Sequence, residues 1–151
     1  MDGSAGADEA VAAVAARQWP PGSEAILLTV LDTPTSMALL SLLAAPGVPN
    51  AAEHDERGLI TPLLNAATDR LRNAGLSVIT TIREGKPKAE ILTQAERSGV
   101  DCIFLGARGL GRVERVLLGS VSSAVAAQAH CSVEVVRRTE KSAEIPEPSR
   151  G

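Results

Sequence analysis

The residues best suited to bind a ligand lie in the segment "GARGLGRVERVLLGS", Gly106 to Ser120, which follows the apolar run "CIFL". This segment contains four glycines and three arginines in fifteen residues. Glycine allows the backbone to turn tightly and to approach a ligand with no Cβ in the way. The arginines make the segment locally cationic in a chain whose formal net charge is -3. This combination indicates a loop that binds a phosphorylated ligand.

Two common phosphate-binding loops do not fit this segment. A Walker A loop needs Lys and then Ser or Thr where Arg112 and Val113 stand. A Rossmann GxGxxG that starts at Gly109 needs a third glycine at the position of Glu114. The pattern that remains is G-2x-G-9x-GS, formed by Gly106, Gly109, Gly119 and Ser120.

The end of this pattern coincides with the predicted start of a helix. There the free amides of Val121, Ser122 and Ser123 would form an anion site. The hydroxyls of Ser120 and Ser122 could add hydrogen bonds to a phosphate. In the simpler interpretation the glycines only permit turns and Ser120 only caps the helix, but the full spacing, with the helix and strand that follow, favours a nucleoside triphosphate site.

Strands and helices alternate along the chain, which predicts an α/β fold with three layers: an open, mostly parallel sheet with helices on both faces. In such sheets ligands bind beyond the carboxyl ends of the strands, where the glycine segment lies. We expect one domain over residues 1–138 and a disordered tail over 139–151, which has few apolar residues. Strands are predicted at 24–32, 76–84, 100–106 and 132–137, and helices at 7–17, 36–44, from Thr61 and Pro62 to Gly75, 87–99 and 120–130.

Composition argues against several classes of partner. The chain has one Trp, one Phe and no Tyr, so base stacking is implausible, and its net charge gives no general attraction to nucleic acid. No run approaches the roughly 20 apolar residues that span a bilayer, and the start "MDGSAGADEA" does not resemble a signal peptide. We therefore expect a cytoplasmic protein that binds neither nucleic acid nor membrane.

The histidines and cysteines give little support for a metal or catalytic site. His54 lies among acidic residues that are consecutive in sequence, which favours a solvated loop over a metal site. His130 has no nucleophile marked beside it, which favours a structural role or a place at a dimer edge. Cys102 and Cys131 lack CxxC spacing and are expected to be buried, reduced thiols. We assign no metal ligand and no catalytic residue.

Nearly the whole ordered chain resembles the universal stress protein A family, in particular its ATP-binding type. The resemblance rests on "DGS" at the start, "LLTVLD", "GKP", "DCIFLGARGLGR" and "GSVSSAVAAQAHCSVEVVR". It implies a sheet of five parallel strands, bound ATP and dimerisation through the last strands. It also implies which residues would surround the nucleotide: Asp2 and Val30 at the adenosine, and Gly106, Arg108, Gly109, Gly119, Ser120, Val121 and Ser122 at the ribose and phosphates.

These observations predict an ATP-binding regulatory protein that acts through nucleotide-dependent homodimerisation or through a protein partner of unknown identity. Mg²⁺ is expected to bridge the phosphates. The alternative is a slow ATPase, or a phosphoryl or nucleotidyl transferase, at the same site, and the lack of an evident general base makes fast hydrolysis unexpected. A third possibility, an interaction module without nucleotide, conflicts with the glycine pattern.

The start of the chain departs from the family pattern. Relatives place an apolar strand directly before the Asp-Gly-Ser, in the middle of the sheet, whereas here Met1 alone precedes Asp2. Four strands can be read where the resemblance implies five. We therefore expect that the chain begins too late, or that the sheet closes by an altered pairing or by borrowing a strand.

Overall fold

The computed structural model describes residues 3–32, 56–107 and 118–137. Helices and strands alternate through these residues, so the α/β class predicted from the sequence is confirmed. The helix predicted at 36–44 and the tail at 139–151 lie outside the described residues. The elements are α1 Ala5–Ala15, β1 Glu24–Leu31, α2 Glu56–Asn73, β2 Ser77–Glu84, α3 Pro87–Ser98, β3 Cys102–Gly106, α4 Ser120–Gln128 and β4 Ser132–Val136.

The strands form two parallel pairs. In the first pair β1 runs beside β2, with Glu24 in register with Ser77, and in the second β3 runs beside β4, with Cys102 in register with Ser132. Within the described part of the chain, no hydrogen-bonded ladder joins the two pairs. The predicted strands are therefore present, but the described ones do not make one continuous sheet.

Helices connect the two strand pairs on both faces. On one face α2 packs on β1 and β2, α1 packs on β3 and β4, and the two helices contact each other. On the other face α3 packs against β1, α4 against β4, and these helices also touch. A hydrogen bond of 3.1 Å from Arg83 to the Gln94 amide oxygen ties β2 to α3. The layered arrangement thus holds without a ladder between the pairs.

The core lies between α1, α2 and the β1–β2 pair. The apolar stripe of α2 has the spacing of one helix face, and its residues Ile60, Leu64, Ala67 and Leu71 are all buried. The predicted start of this helix at Thr61 and Pro62 is wrong, because the helix begins at Glu56 and contains the proline. Burial of Ile60 favours the extra turn despite the hydrogen bond that the proline cannot make. The other buried members of the core cluster are Val11, Leu27, Leu31 and Leu76.

Several helix ends follow the predicted local chemistry. Ser4 caps α1, since its hydroxyl accepts the Ala7 amide at 3.2 Å. Gly99 ends α3 in the left-handed conformation, with φ of 56°, which glycine adopts without a Cβ penalty. These residues fix where α1 begins and where the chain turns from α3 towards β3.

Both aromatic side chains lie together beside the α1-facing side of the β3–β4 pair. The rings of Trp19 and Phe104 meet edge to face, with centroids 6.0 Å apart. The Arg17 guanidinium lies 4.9 Å from the centre of the Phe104 ring and forms an ion pair with Glu134. We call these four residues the Arg17 cluster, and they attach the end of α1 to the second strand pair.

Candidate functional site

The predicted glycine segment leaves the carboxyl end of β3 and returns to the same point. The Ala107 amide donates to the Val136 carbonyl at 2.7 Å, which extends the contact between β3 and β4. The Ala107 carbonyl then accepts the Gly119 amide, also at 2.7 Å. The start of α4 is therefore hydrogen-bonded directly to the chain that follows β3.

The amino end of α4 has no side-chain cap. Gly119 is the N-cap residue, with extended backbone angles of φ -67° and ψ 159°, and it has no side chain with which to accept an amide. The Ser123 amide donates to the Gly119 carbonyl at 2.9 Å, so the helical hydrogen bonds begin there. In the described part of the chain the amides of Ser120, Val121 and Ser122 have no acceptor. The sequence predicted free amides at Val121, Ser122 and Ser123. This prediction is wrong at Ser123, whose amide is bonded, and it missed Ser120.

The two serine hydroxyls of this turn have different surroundings. Ser120 is exposed to solvent. Ser122 is buried, and its hydroxyl donates to the Gly106 carbonyl at 2.7 Å. Thus the Ser120 hydroxyl is accessible to a ligand, whereas the Ser122 hydroxyl connects α4 to the end of β3.

The amino end of α1 also meets the end of β3. A Cβ built on Gly106 would lie 2.3 Å from the carbonyl carbon of Gly6, a distance that real side chains do not show. Gly106 therefore permits a close approach, but the backbone that approaches it belongs to α1. Ser4 and Gly3 precede this contact, with φ of 71° at Gly3. Two helix amino ends, those of α1 and α4, consequently converge on Gly106.

Val30 is buried in β1 and stands in register with Arg83. The following residue, Leu31, accepts the Gly85 amide at 3.0 Å on the β2 side of the strand. Successive residues of a strand point their backbone groups to alternate sides. The amide and carbonyl of Val30 therefore point towards the edge of β1 that faces away from β2.

Three predicted site residues, Asp2, Arg108 and Gly109, lie outside the described residues, as do Arg112 and the acidic segment around His54. The structure brings together Gly106, Gly119, Ser120, Val121 and Ser122 at the end of β3. No group of three or more His, Cys, Asp or Glu side chains suited to a metal ion occurs in the described parts of the chain.

Sequence reasoning missed Gly6. A glycine within a helix is unfavourable by up to about 1 kcal/mol relative to alanine, so its position in the first turn of α1 was an available signal. That signal did not indicate its contact with Gly106, which lies 100 residues further along the chain.

Cys102 is the first residue of β3, at the end of the strand opposite Gly106. Burial raises the pKa of its thiol, the Glu134 carboxylate and Cys131 raise it further, and Arg17 partly opposes them. Both cysteines are free and half-buried, so the expectation of buried thiols was only partly correct.

Two shallow cavities of about 300 and 250 Å³ lie between α1 and α2, and both reach Arg70. None of the predicted site residues that the structure describes lines either cavity.

Comparison with known proteins identifies the family. The profile of the universal stress protein family matches residues 1–137. The chain belongs to the universal stress protein family. Among its relatives, universal stress protein MJ0577 of Methanocaldococcus jannaschii is 33% identical over 125 residues, which cover 76% of this chain and 77% of the relative. The resemblance read from the sequence is thereby confirmed.

Other universal stress proteins match over shorter regions. The chain aligns with 39% of the length of MJ0531 from the same organism, at 42% identity over 67 residues and 44% of this chain. It aligns with 51% of YxiE from Bacillus subtilis, at 35% identity over 75 residues and 50% of this chain. The chain thus spans about half or less of the length of these two relatives.

Solved structures share the fold. The structure of MJ0577 superposes with a TM-score of 0.72 at 27% identity and covers 92% of each chain. A universal stress protein in complex with cAMP superposes with a TM-score of 0.56 at 22% identity, over 90% of this chain and 93% of that one. In the described residues no helix is long and apolar enough to cross a membrane.

Proposed function

We propose that this universal stress protein binds an adenine nucleotide, ATP with Mg²⁺, and acts as a regulator through nucleotide-dependent dimerisation or partner binding. The observation that carries the proposal is the uncapped amino end of α4, which lies against the end of β3. Free amides and the positive end of the helix dipole together attract phosphate. The glycine spacing that contains this helix start, in a member of this family, supports a nucleotide as the source of the phosphate.

The residues at this end of β3 fit a phosphate group. Among the described residues the amides of Ser120, Val121 and Ser122 have no acceptor, and the exposed Ser120 hydroxyl has a proton to donate. Val30, whose backbone groups point away from β2, is proposed to contact the adenine. Arg108, Gly109 and Asp2 complete the proposed set. When bound, Mg²⁺ would neutralise part of the phosphate charge. The cyclic nucleotide in the related cAMP complex makes cAMP a competing ligand to test.

Replacing Gly119 with aspartate tests the site. An aspartate at an N-cap accepts hydrogen bonds from amides of the first turn. Its carboxylate would therefore occupy the place of the phosphate and repel it. Aspartate is a better N-cap than glycine, and the backbone angles at Gly119 suit any residue. We therefore expect Gly119→Asp to keep or slightly raise the melting temperature and to weaken ATP binding by on the order of 100-fold, about 2.7 kcal/mol.

Calorimetric titration with ATP, ADP, AMP and cAMP, each with and without Mg²⁺, measures the effect. Gly58→Asp is the matched control, because Gly58 lies in α2 with open space around the Cβ position. Unchanged ATP affinity in Gly119→Asp would contradict the site. The same samples report hydrolysis, which we expect to be slow. Turnover of many per second, lost on replacing a particular acid or histidine, would favour the enzyme alternative.

A further inference from the structure

The buried hydroxyl of Ser122 has one proton, and that proton is already used. A serine hydroxyl offers a single donor, and Ser122 donates it to the Gly106 carbonyl at 2.7 Å. Nucleotide phosphate oxygens at neutral pH are overwhelmingly acceptors and therefore need donors. While Ser122 is bonded to Gly106, its hydroxyl cannot donate to a phosphate. Ser120, two residues earlier and exposed, is free of this constraint.

Gly106 is the point at which three elements are joined. Its carbonyl is bonded to Ser122 of α4, and its Cα packs against the Gly6 backbone of α1. A second bond, from the Gly119 amide to the Ala107 carbonyl, lies one residue further along. The adjacent residues Gly106 and Ala107 thus each accept one bond from the start of α4. Two such bonds fix the direction of the helix as well as its distance from β3.

We propose that Ser122 is a positioning residue, which aims the free amides of α4 at the phosphate by tying the helix to Gly106 and makes no hydroxyl contact with the nucleotide. This inference rests on the proposed nucleotide site. It divides the two serines at the start of α4 by role, because Ser120 is a direct phosphate donor and Ser122 acts through the helix.

Three alanine variants separate these roles. Ser122→Ala removes the bond to Gly106 and is expected to weaken ATP binding about tenfold, the equivalent of one buried hydrogen bond left unmade. Ser120→Ala is expected to weaken ATP binding through loss of a direct contact. Val125→Ala is the control for general destabilisation, because Val125 is completely buried in the same helix. It takes part in neither of the two tethers, the Ser122–Gly106 bond and the Gly119–Ala107 bond. Its ATP affinity should stay within about twofold of the unchanged protein.

Amide exchange in the nucleotide-free protein decides between positioning and contact. Ser122→Ala should speed exchange of the Gly119 amide, which is bonded to Ala107, whereas Ser120→Ala should leave it unchanged. Faster exchange together with weaker ATP binding in Ser122→Ala supports the proposal. Weaker binding with unchanged exchange would make Ser122 a direct ligand and overturn it.

Two further outcomes also count against the proposal. Faster exchange with unchanged ATP affinity would show that the tether does not affect the site. An equal loss of ATP affinity in Val125→Ala would show that any destabilisation of α4 has the same effect. Failure of the proposed function is recognised separately, because the unchanged protein would then bind no nucleotide in calorimetry, while the exchange rates would still report whether Ser122 holds α4.

Discussion

Among the described titratable residues, Cys102 has a clearly shifted pKa. Its thiol lies on the same side of β3 as Phe104, since side chains two apart in a strand share a face. Burial and the neighbouring Glu134 carboxylate disfavour the thiolate, so its pKa is raised, while the Arg17 charge lowers it. Such a thiol is less reactive near neutral pH than an ordinary one, because the thiolate is the nucleophile.

Charge changes on either side of this thiol should move its pKa in opposite directions. Glu134→Gln removes a negative charge and should lower the pKa of Cys102, whereas Arg17→Gln should raise it further. The measurement is the pH profile of iodoacetamide alkylation, followed by mass spectrometry on the peptide that contains Cys102. Shifts of the same sign in both variants, or no shift in either, would contradict control of the thiol by these two charges.

The same pKa makes stability depend on pH. Folding raises the pKa of Cys102, so the native state favours the neutral thiol. Its contribution to stability is fully present below the pKa of the unfolded thiol, about 8.5. That contribution declines as pH rises through the higher pKa of the folded state. Cys102 should therefore lower the stability of the fold only in alkaline solution.

At the scale of elements, β1 and β3 are buried unequally. β1 supplies Leu27, Val30 and Leu31 to the buried set, and α1 and α2 cover its side of the core. Every residue of β3 is half-buried, although α1 packs on this strand. Regions with less buried apolar surface open more easily. β3, which leads into the candidate site, is therefore less protected than β1.

Native-state hydrogen exchange should show this difference directly. We expect the β1 amides in the ladder with β2 to exchange most slowly, at a rate set by global unfolding. The Ala107 and Ser132 amides, which join the second pair, should exchange faster through partial opening. Equal exchange free energies for both pairs would mean that the molecule opens only as one unit.

Much at this scale could be predicted from the sequence, because local signals control it. Apolar runs marked β1 and β3, and Ser4 and Gly99 marked a helix start and a helix end. The start of α2 was misplaced because the burial of Ile60, a tertiary effect, outweighed the local signal of Pro62. For the site, the sequence indicated the start of α4 but not the contacts of Gly106 with Gly6 and Ser122. Those contacts join segments that are distant in sequence, which local patterns do not encode.

At the scale of the whole molecule, the outer edge of β4 bears on the proposed dimer. The Ser132 amide and the Val136 carbonyl bond towards β3. Alternation along the strand therefore points the amides of Val133 and Val135 outwards. In the described residues no strand covers this edge. An uncovered edge can pair with a second copy of the same strand.

Proline substitution can block this edge without disturbing the inner ladder. Val135→Pro removes an outward amide and should convert a dimer to a monomer with little change in the circular dichroism spectrum. Glu134→Pro, one residue earlier, removes an amide on the β3 side and should damage the fold instead. Sedimentation at micromolar concentration with ATP present measures the result. A Val135→Pro protein that still dimerises normally would place the interface elsewhere.

The hydrogen bond between Gly119 and Ala107 bears on insertions and deletions in the stretch between these two residues. Because this bond brings both ends of the intervening stretch to one place, the number of residues between them does not set the position of either end. Closing a loop of twice the length costs only about 0.6 kcal/mol more. Insertions and deletions here are therefore tolerable to β3 and α4. A peptide tag inserted in this stretch should therefore spare β3 and α4 but interrupt the spacing of Gly106, Gly109 and Gly119 on which the proposed nucleotide site depends.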